Sequence, residues 1–508
     1  MGSEIIIEQT LFDLWEVENN EEWKISDFSA NGDFPQAERL ALEEKYWNIT
    51  EITDKFNRQS VSFQLSKKDK LHSWLKYKEG FSAELVRLLI NEFGIKKGET
   101  ILDPFMGSGT TSLVACMNGI NSIGYDILPM SKISIEAKSL VYKYDIDELY
   151  CLLNDIVKIK IPDEYKTETP TVSITKDGYP KLTAIEISYI NEYVLQSSYS
   201  ENAKLLCKLC MINCLEKVSY SAKDGQYLRW DFRCPKIVRA SEERRLAGRK
   251  PFVVKLDKGE LPSMQNALID EFNRIIEDIK NIQRTLNQSI DTVNSFTEGS
   301  ALYNLPCLGD EQVNAVISSP PYCNRYDYTR TYAMELAFLG VDDNGIRDLR
   351  QELLSCTVEN KSKIDRLKEY YYSLNLSDRY DKILDIAKNN SVLNEILQAL
   401  KNRNANGEIN NKGVIRMVEG YFTELTFIFA ELYRVCKTNA KIAFVNDNVR
   451  YAGEVIPVDY LTTMIAEQIG FIPVKIYALK QKKGNSSQQM KKYGKVSLRK
   501  SITIWMKP

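Results

Sequence analysis

Histidine is almost missing from this chain: His72 is the only one. Its scarcity argues against a histidine general base, a Ser-His-Asp triad and a His-ligated metal. Cysteine is also thin, ten in 508 residues, which is no disulfide scaffold. Only Cys207, Cys210 and Cys214 cluster. They recur at helical spacing beside Leu206, and no second C-x-x-C follows, so they read as small buried thiols and no metal site is expected. No apolar run approaches the roughly 20 residues that span a bilayer. The acidic N-terminal stretch lacks the basic start of a signal peptide, so a cytoplasmic location and no membrane partner are expected. Excess positive charge is absent as well: the formal net charge is -2, which excludes a uniformly basic nucleic-acid binder.

What is present belongs to a soluble globular protein, 44% hydrophobic and 27% charged, too long for one typical core. The near-neutral total hides local asymmetry. From Lys480 to Lys500 there are eight Lys/Arg and no acid, and Lys236 to Lys250 holds six basic residues against Glu242 and Glu243. Such stretches fit either one nucleic-acid-binding face or a solvated surface.

The chain offers two loops for chemistry. In the first, Thr100–Leu102 is a short buried strand running into the glycine-rich turn Asp103-Pro104-Phe105-Met106-Gly107-Ser108-Gly109. Thr110 opens a helix, and Ser122–Tyr125 forms a second strand that ends at Asp126. Upstream, Ser82 caps a helix with Leu85, Leu88, Leu89 and Phe93 on one face and Gly94 at its end. This order is the nucleotide-binding half of a doubly wound sheet: the glycines let backbone approach a ligand, and Asp126 is placed to meet ribose hydroxyls. No GK[ST] follows, so the loop is not a triphosphate cradle. In the second, the apolar run Asn314–Ser318 stops at Ser319-Pro320-Pro321-Tyr322. Two prolines cannot continue a ladder, so a stiff loop must sit at that strand's carboxyl end. It offers backbone carbonyls, a hydroxyl and an aromatic face, which suit a planar amino group on a ring.

Between these loops the pattern is helical, except for a polar segment in which Lys223, Gln226, Tyr227, Arg229, Trp230 and Arg233 interleave bases and aromatics around the turn Asp224-Gly225. That composition suits phosphate contact and base stacking, or a hairpin packed on the core. The basic loop near the C-terminus adds Lys482, Lys483, Lys491, Lys492 and Arg499 as candidate nucleic-acid contacts. Phe471–Leu479 and Ser501–Met506 read as a closing antiparallel pair.

With both loops in hand, the chain resembles the amino-group DNA methyltransferases, which act on cytosine N4 or adenine N6. DPFMGSGTT matches the family's cofactor motif and SPPY its catalytic tetrapeptide; FSAELVRLLI and the C-terminal pieces from YFTELTFIFAELYRVCKTNAKIAFVNDN to LRKSITIW are similar too. The resemblance implies a Rossmann-like α/β sheet that binds S-adenosylmethionine, with two largely helical insertions. The expected organisation is an accessory segment (1–60), a cofactor-binding half (61–140), an insertion that is the candidate target-recognition region (141–297), the SPPY part (298–340), a second helical insertion (341–412) and a C-terminal part (413–508). It further implies that Asp103, Pro104, Phe105, Gly107, Ser108, Gly109, Thr110, Asp126 and Ser300 form the cofactor site, with Asp103 ordering the loop. Ser319, Pro320, Pro321 and Tyr322 would form the catalytic one. Ser300 and Asn314 depart from the family, which commonly has carboxylates there. The implied substrate is double-stranded DNA, with the serine of SPPY favouring cytosine N4 over adenine N6, in a restriction–modification or phage-defence system with a cognate subunit. An RNA methyltransferase and a catalytically idle DNA-binding subunit are the alternatives.

Overall fold

The computed structural model describes residues 20–56, 60–62, 69–77, 80–224, 227–285, 292–480, 492–494 and 496–508. Gln226, Lys482, Lys483 and Lys491 lie outside the described residues, and of Tyr227 only the backbone is described. In chain order the strands are β1 (Thr50–Thr53), β2 (Thr100–Asp103), β3 (Asn121–Asp126), β4 (Ser221–Asp224), β5 (Tyr227–Trp230), β6 (Asn294–Glu298), β7 (Val313–Ser318), β8 (Cys436–Asp447), β9 (Val449–Tyr451), β10 (Glu454–Ile456), β11 (Ile472–Leu479) and β12 (Lys500–Met506). Eight of them make one sheet in the order β1-β11-β12-β8-β7-β2-β3-β6. Every pairing in it is parallel except those of β12, which runs antiparallel to both β11 and β8.

The apolar runs that marked the strands are continuous because both faces of the sheet are covered. Ile101, Ala315, Ile317, Ala443 and Val445 pack on the side of helix Ala83–Phe93. Leu102, Val316, Ile442, Phe444 and Trp505 pack on the side of helix Gly413–Val435. The first of those helices starts and stops as its sequence predicts. Ser82 Oγ accepts from the Leu85 N–H at 3.3 Å, and Gly94 closes the helix at φ 71°.

From β2 the chain winds outward through β3 to β6, and then β7 returns to the other side of β2. This reversal is a topological switch point, and it opens a crevice above the carboxyl ends of β2 and β7. The helices between β3 and β6 share a core with Trp74, Met106, Leu113 and Leu336, and Cys207, Cys210 and Cys214 are buried in it on helix Glu201–Val218. The sheet takes up again at Asn294, four residues before the boundary expected from the sequence, because β6 is a half-exposed edge strand of polar composition, NSFTE. β4 and β5 pair antiparallel, from Ser221 opposite Trp230 to Asp224 opposite Tyr227, and Gly225, expected in the turn between them, lies outside the described residues. At the far edge β1 pairs with β11, so the N-terminal segment contributes a strand to the sheet.

Two residues expected to contact nucleic acid are instead structural. Lys223 is buried, paired with Glu335, and its ammonium sits 4.5 Å from the centre of the Tyr332 ring. Arg499 is 1% exposed and bonded to Glu43, to Asp459 Oδ2 at 3.0 Å and to the Trp23 carbonyl. A basic run read as one surface conceals such a residue because β12 begins within it and carries Arg499 indoors. A second charged cluster joins Arg39 and Arg403 to Glu454, at 3.0 and 2.9 Å, tying the N-terminal helix Ala37–Trp47 and helix Ser391–Ala405 to the β9–β10 hairpin.

Removing one partner of a buried charge cluster leaves the others uncompensated, at a cost of about 3–5 kcal/mol. Arg499→Met should therefore destabilise the protein by that order in chemical unfolding. Stability equal to the unsubstituted protein would show that the Glu43 and Asp459 carboxylates find water without it.

Candidate active site at the switch point

The glycine turn and the double-proline turn leave adjacent parallel strands at the same end, so they open on one edge of the sheet. A side-chain bond joins them at the root: Ser318 Oγ donates to Asp103 Oδ1 at 2.6 Å. Asp103 also accepts from the Phe105 N–H at 3.1 Å, which bends the chain into the turn. Thr111 Oγ1 donates to the Ile317 carbonyl at 3.1 Å and pins the following helix, Thr110–Met117, to β7.

Above these strand ends lies a cavity that both loops line. Asp103, Pro104, Phe105, Gly107, Ser108, Thr110, Asp126 and Ser300 from the first expected set line it, together with Ser319 and Pro321 from the second. Gly109 sits behind the lining: a Cβ there would come within 2.7 Å of Ile135, and its φ is +83°. Gly107 lies on the surface of the cavity, where a Cβ would meet the Tyr77 ring at 3.1 Å at φ +54°. Glycine is needed at both positions, once for packing and once for approach. Pro320 is buried beside the cavity. Tyr322 adjoins it, half-buried, with the Lys500 ammonium 5.1 Å from its ring centre.

Asp126 was expected to face a ribose. Its carboxylate accepts from the Gly107 N–H at 2.8 Å and from the Leu128 N–H at 2.9 Å, so it also shapes the glycine loop. Burial pushes both Asp103 and Asp126 up to about 6. Lys138 is a participant that the sequence did not reveal. Its Nζ donates to the Ser108 carbonyl at 2.9 Å from a fully enclosed position, and burial lowers it to about 7. Only its place on the inner face of helix Pro129–Ser139 sets it apart from a surface lysine. Ser300 caps the short helix Ala301–Asn304, its Oγ accepting from the Leu302 N–H at 3.4 Å.

The lining set fits S-adenosylmethionine. Two carboxyl groups suit a cationic sulfonium, Tyr77, Phe81 and Phe105 suit a purine ring, and loop backbone exposed at Gly107 leaves room for a close approach.

On the catalytic side, Ser319 Oγ donates to the Val445 carbonyl of β8 at 3.1 Å and lies 3.2 Å from the Tyr322 hydroxyl. Tyr451 Oη donates to the Cys323 carbonyl at 2.6 Å, so the β9–β10 hairpin braces the loop from outside. The expected DNA contacts are dispersed. Arg229 is exposed, Trp230 is half-buried with the Lys236 ammonium 4.0 Å from its ring centre, and Lys492 is exposed beside Tyr493.

The raised carboxyls give a pH dependence with two opposite signs. An acid whose folded pKa is raised favours folding while protonated; that contribution is complete below the unfolded value of about 4 and is lost as pH rises through about 6. The ionised Asp126 acceptor of the loop amides works the other way. S-adenosylmethionine affinity should thus fall as pH is lowered through about 6, without any loss of stability from these two groups. Calorimetric titrations across that range check it, and Asp126→Asn should flatten the profile; a wild-type affinity constant across the range would refute the assignment.

Comparison with known proteins gives this geometry its context. The profile of the DNA methylase family matches residues 9–134, the stretch that ends just beyond β3. The type II methyltransferase M.BsoBI of Geobacillus stearothermophilus is 55% identical over 487 residues, covering 96% of this chain and 95% of that one. M.AvaI of Nostoc sp., also a type II methyltransferase, is 38% identical over 477 residues, with 92% and 93% covered. A shorter likeness, 35% over 167 residues, links the chain to M.MjaII of Methanocaldococcus jannaschii. Full-length similarity of this degree, on a switch-point cavity that fits the methyl donor, places the chain among the type II methyltransferases, in the S-adenosylmethionine-dependent family that methylates DNA at amino groups.

Proposed function

We propose that this enzyme methylates the N4 amino group of cytosine at a specific site in double-stranded DNA, as the modifying half of a restriction–modification system. The observation that carries the reading is the Ser319-Pro320-Pro321 loop facing the glycine loop across one cavity, with a hydroxyl whose proton is already directed elsewhere. Because Ser319 Oγ donates to the Val445 carbonyl, its lone pairs are available to accept from an amine. The Pro320 carbonyl supplies a second acceptor.

An exocyclic amine is a poor nucleophile because its lone pair is shared with the ring. Two acceptors on its N–H bonds draw the nitrogen toward tetrahedral geometry and localise that pair. Bound S-adenosylmethionine contributes an electrophilic methyl group, so the protein's task is alignment and electrostatics, with no nucleophile of its own. Tyr322 offers its ring to the base, which must leave the duplex to reach this depth. Burial raises the Tyr322 phenol even with Lys500 beside it, so the hydroxyl stays neutral near pH 7. The serine at the head of the tetrapeptide supports cytosine.

Labelled methyl transfer to DNA, followed by digestion to nucleosides, tests the base directly: N4-methylcytosine is expected, and N6-methyladenine alone would replace the cytosine reading with the adenine one. Label entering RNA and not DNA would reject both. Ser319→Ala and Tyr322→Ala should each lower turnover about a hundredfold or more while sparing cofactor binding. Unchanged turnover in both would remove the tetrapeptide from the chemistry.

A further inference from the structure

Of Pro235 to Glu260, no residue is buried. The helix Pro235–Leu246 buries none of its residues, which is unusual for a helix of this length, since helical stability in proteins comes mainly from a packed face. The segment is nonetheless firmly rooted. At its base the Phe232 N–H donates to the Leu256 carbonyl at 3.1 Å, and the Lys258 N–H donates to Asp231 Oδ2 at 2.7 Å. Lys258 Nζ then donates to the carbonyls of Glu216, Ser219 and Ser221 at 2.5, 2.6 and 2.8 Å. The two ends are thus fastened together on the helical insertion, and the residues between them project as an arm.

The root of this arm stands beside the active site. It leaves directly from β5, which packs on helix Tyr328–Thr331, and Tyr328 lines the cavity. Lys236 Nζ donates to the Ile174 carbonyl at 2.6 Å, and Arg239 pairs with Asp177, fixing the first turns of the helix. Beyond them, Arg244 Nε donates to the Lys250 carbonyl at 3.0 Å. From Pro235 to Leu256 there are seven basic residues and two acidic ones, on a chain whose total charge is -2. Arg245 pairs with Glu242 on the same helix. Arg244, Arg249, Lys250 and Lys255 have no carboxylate partner among the described residues, and Arg244 lies over the exposed Phe252 ring at 4.6 Å. Leu246 and Val253 are 77% and 86% exposed.

We propose that residues 235–256 form a clamp that closes on the phosphate backbone of the DNA duplex flanking the target base. The proposal rests on the double-stranded DNA reading above and adds the surface that holds the duplex. Charge selects the occupant: a concentrated positive arm, with Arg244, Arg249, Lys250 and Lys255 free of carboxylate partners among the described residues, complements a polyanion. Because its contacts are to phosphates, the arm contributes affinity without deciding which sequence is methylated.

The test uses the full chain and a long mixed-sequence duplex, with binding measured over a series of salt concentrations. Each phosphate contact removed lowers the slope of log affinity against log salt by about 0.9, so R244A/R249A/K250A should lose roughly 2 to 3 in slope and about tenfold or more in affinity. S-adenosylmethionine affinity and the melting temperature should stay at wild-type values, and the methylated sequence should not change. A wild-type slope in the triple variant, on an enzyme that still methylates DNA, overturns the clamp and leaves the methyltransferase reading standing. So does finding by sedimentation that the substitutions abolish a self-association of the chain, which would make the arm a contact between copies. Failure of the unsubstituted enzyme to bind or methylate DNA would defeat both readings together.

Discussion

The 2.6 Å bond between Ser318 and Asp103 marks the constraint on which this molecule is organised: two loops from distant parts of the sequence leave neighbouring strands at the same edge. Adjacent strands lie about 4.8 Å apart. The separation between the loop that faces a methyl donor and the loop that faces an amine is therefore set by backbone hydrogen bonding, the stiffest ruler a protein has. Side chains adjust that distance but do not establish it. This is economical chemistry for a chain with one histidine, because a reaction driven by alignment asks for few titrating groups.

The surrounding charge is spent on holding parts together. Arg39 and Arg403 converge on Glu454 in the β9–β10 hairpin, and Tyr451 in the same hairpin holds the Cys323 carbonyl just past the double proline. Arg499 joins β12 to the N-terminal helix through Glu43. The N-terminal segment, which reads as an accessory piece, is in this way coupled through two buried charge clusters to the strand and hairpin that flank the catalytic loop. Such clusters are weak sources of net stability but strict about geometry, since any displacement leaves a buried charge unmatched.

The two loops were legible in the sequence because their signals are local and chemically unambiguous: glycines where backbone must approach, prolines where a ladder must stop. Helix Ala83–Phe93 was legible for the same reason, with its capping serine and terminal glycine. The basic residues were far less so. Lys223 and Arg499 look like surface cations in a basic context, and only the tertiary partners Glu335, Glu43 and Asp459, each at least forty residues away, reveal them as interior. Lys138 is invisible for a related reason, since its partner is a backbone carbonyl and carries no sequence signal. Edge strands β1 and β6 were also silent, because half-exposed strands of Thr, Glu and Ser lack the apolar run that marks an interior one.

The strand order has a consequence for how this enzyme comes into being. β12, which follows every other described strand, does not sit at the border of the sheet; it lies between β11 and β8 and supplies hydrogen bonds to both. While the polypeptide is being made, β8 and β11 both precede the strand that joins them. Two unpaired edges must wait for β12 to be made, and any partner that arrives sooner, including another nascent chain, competes for the same slot. Completion of the fold, and with it the posture of the loop braced on Val445, is a late event in the life of the molecule.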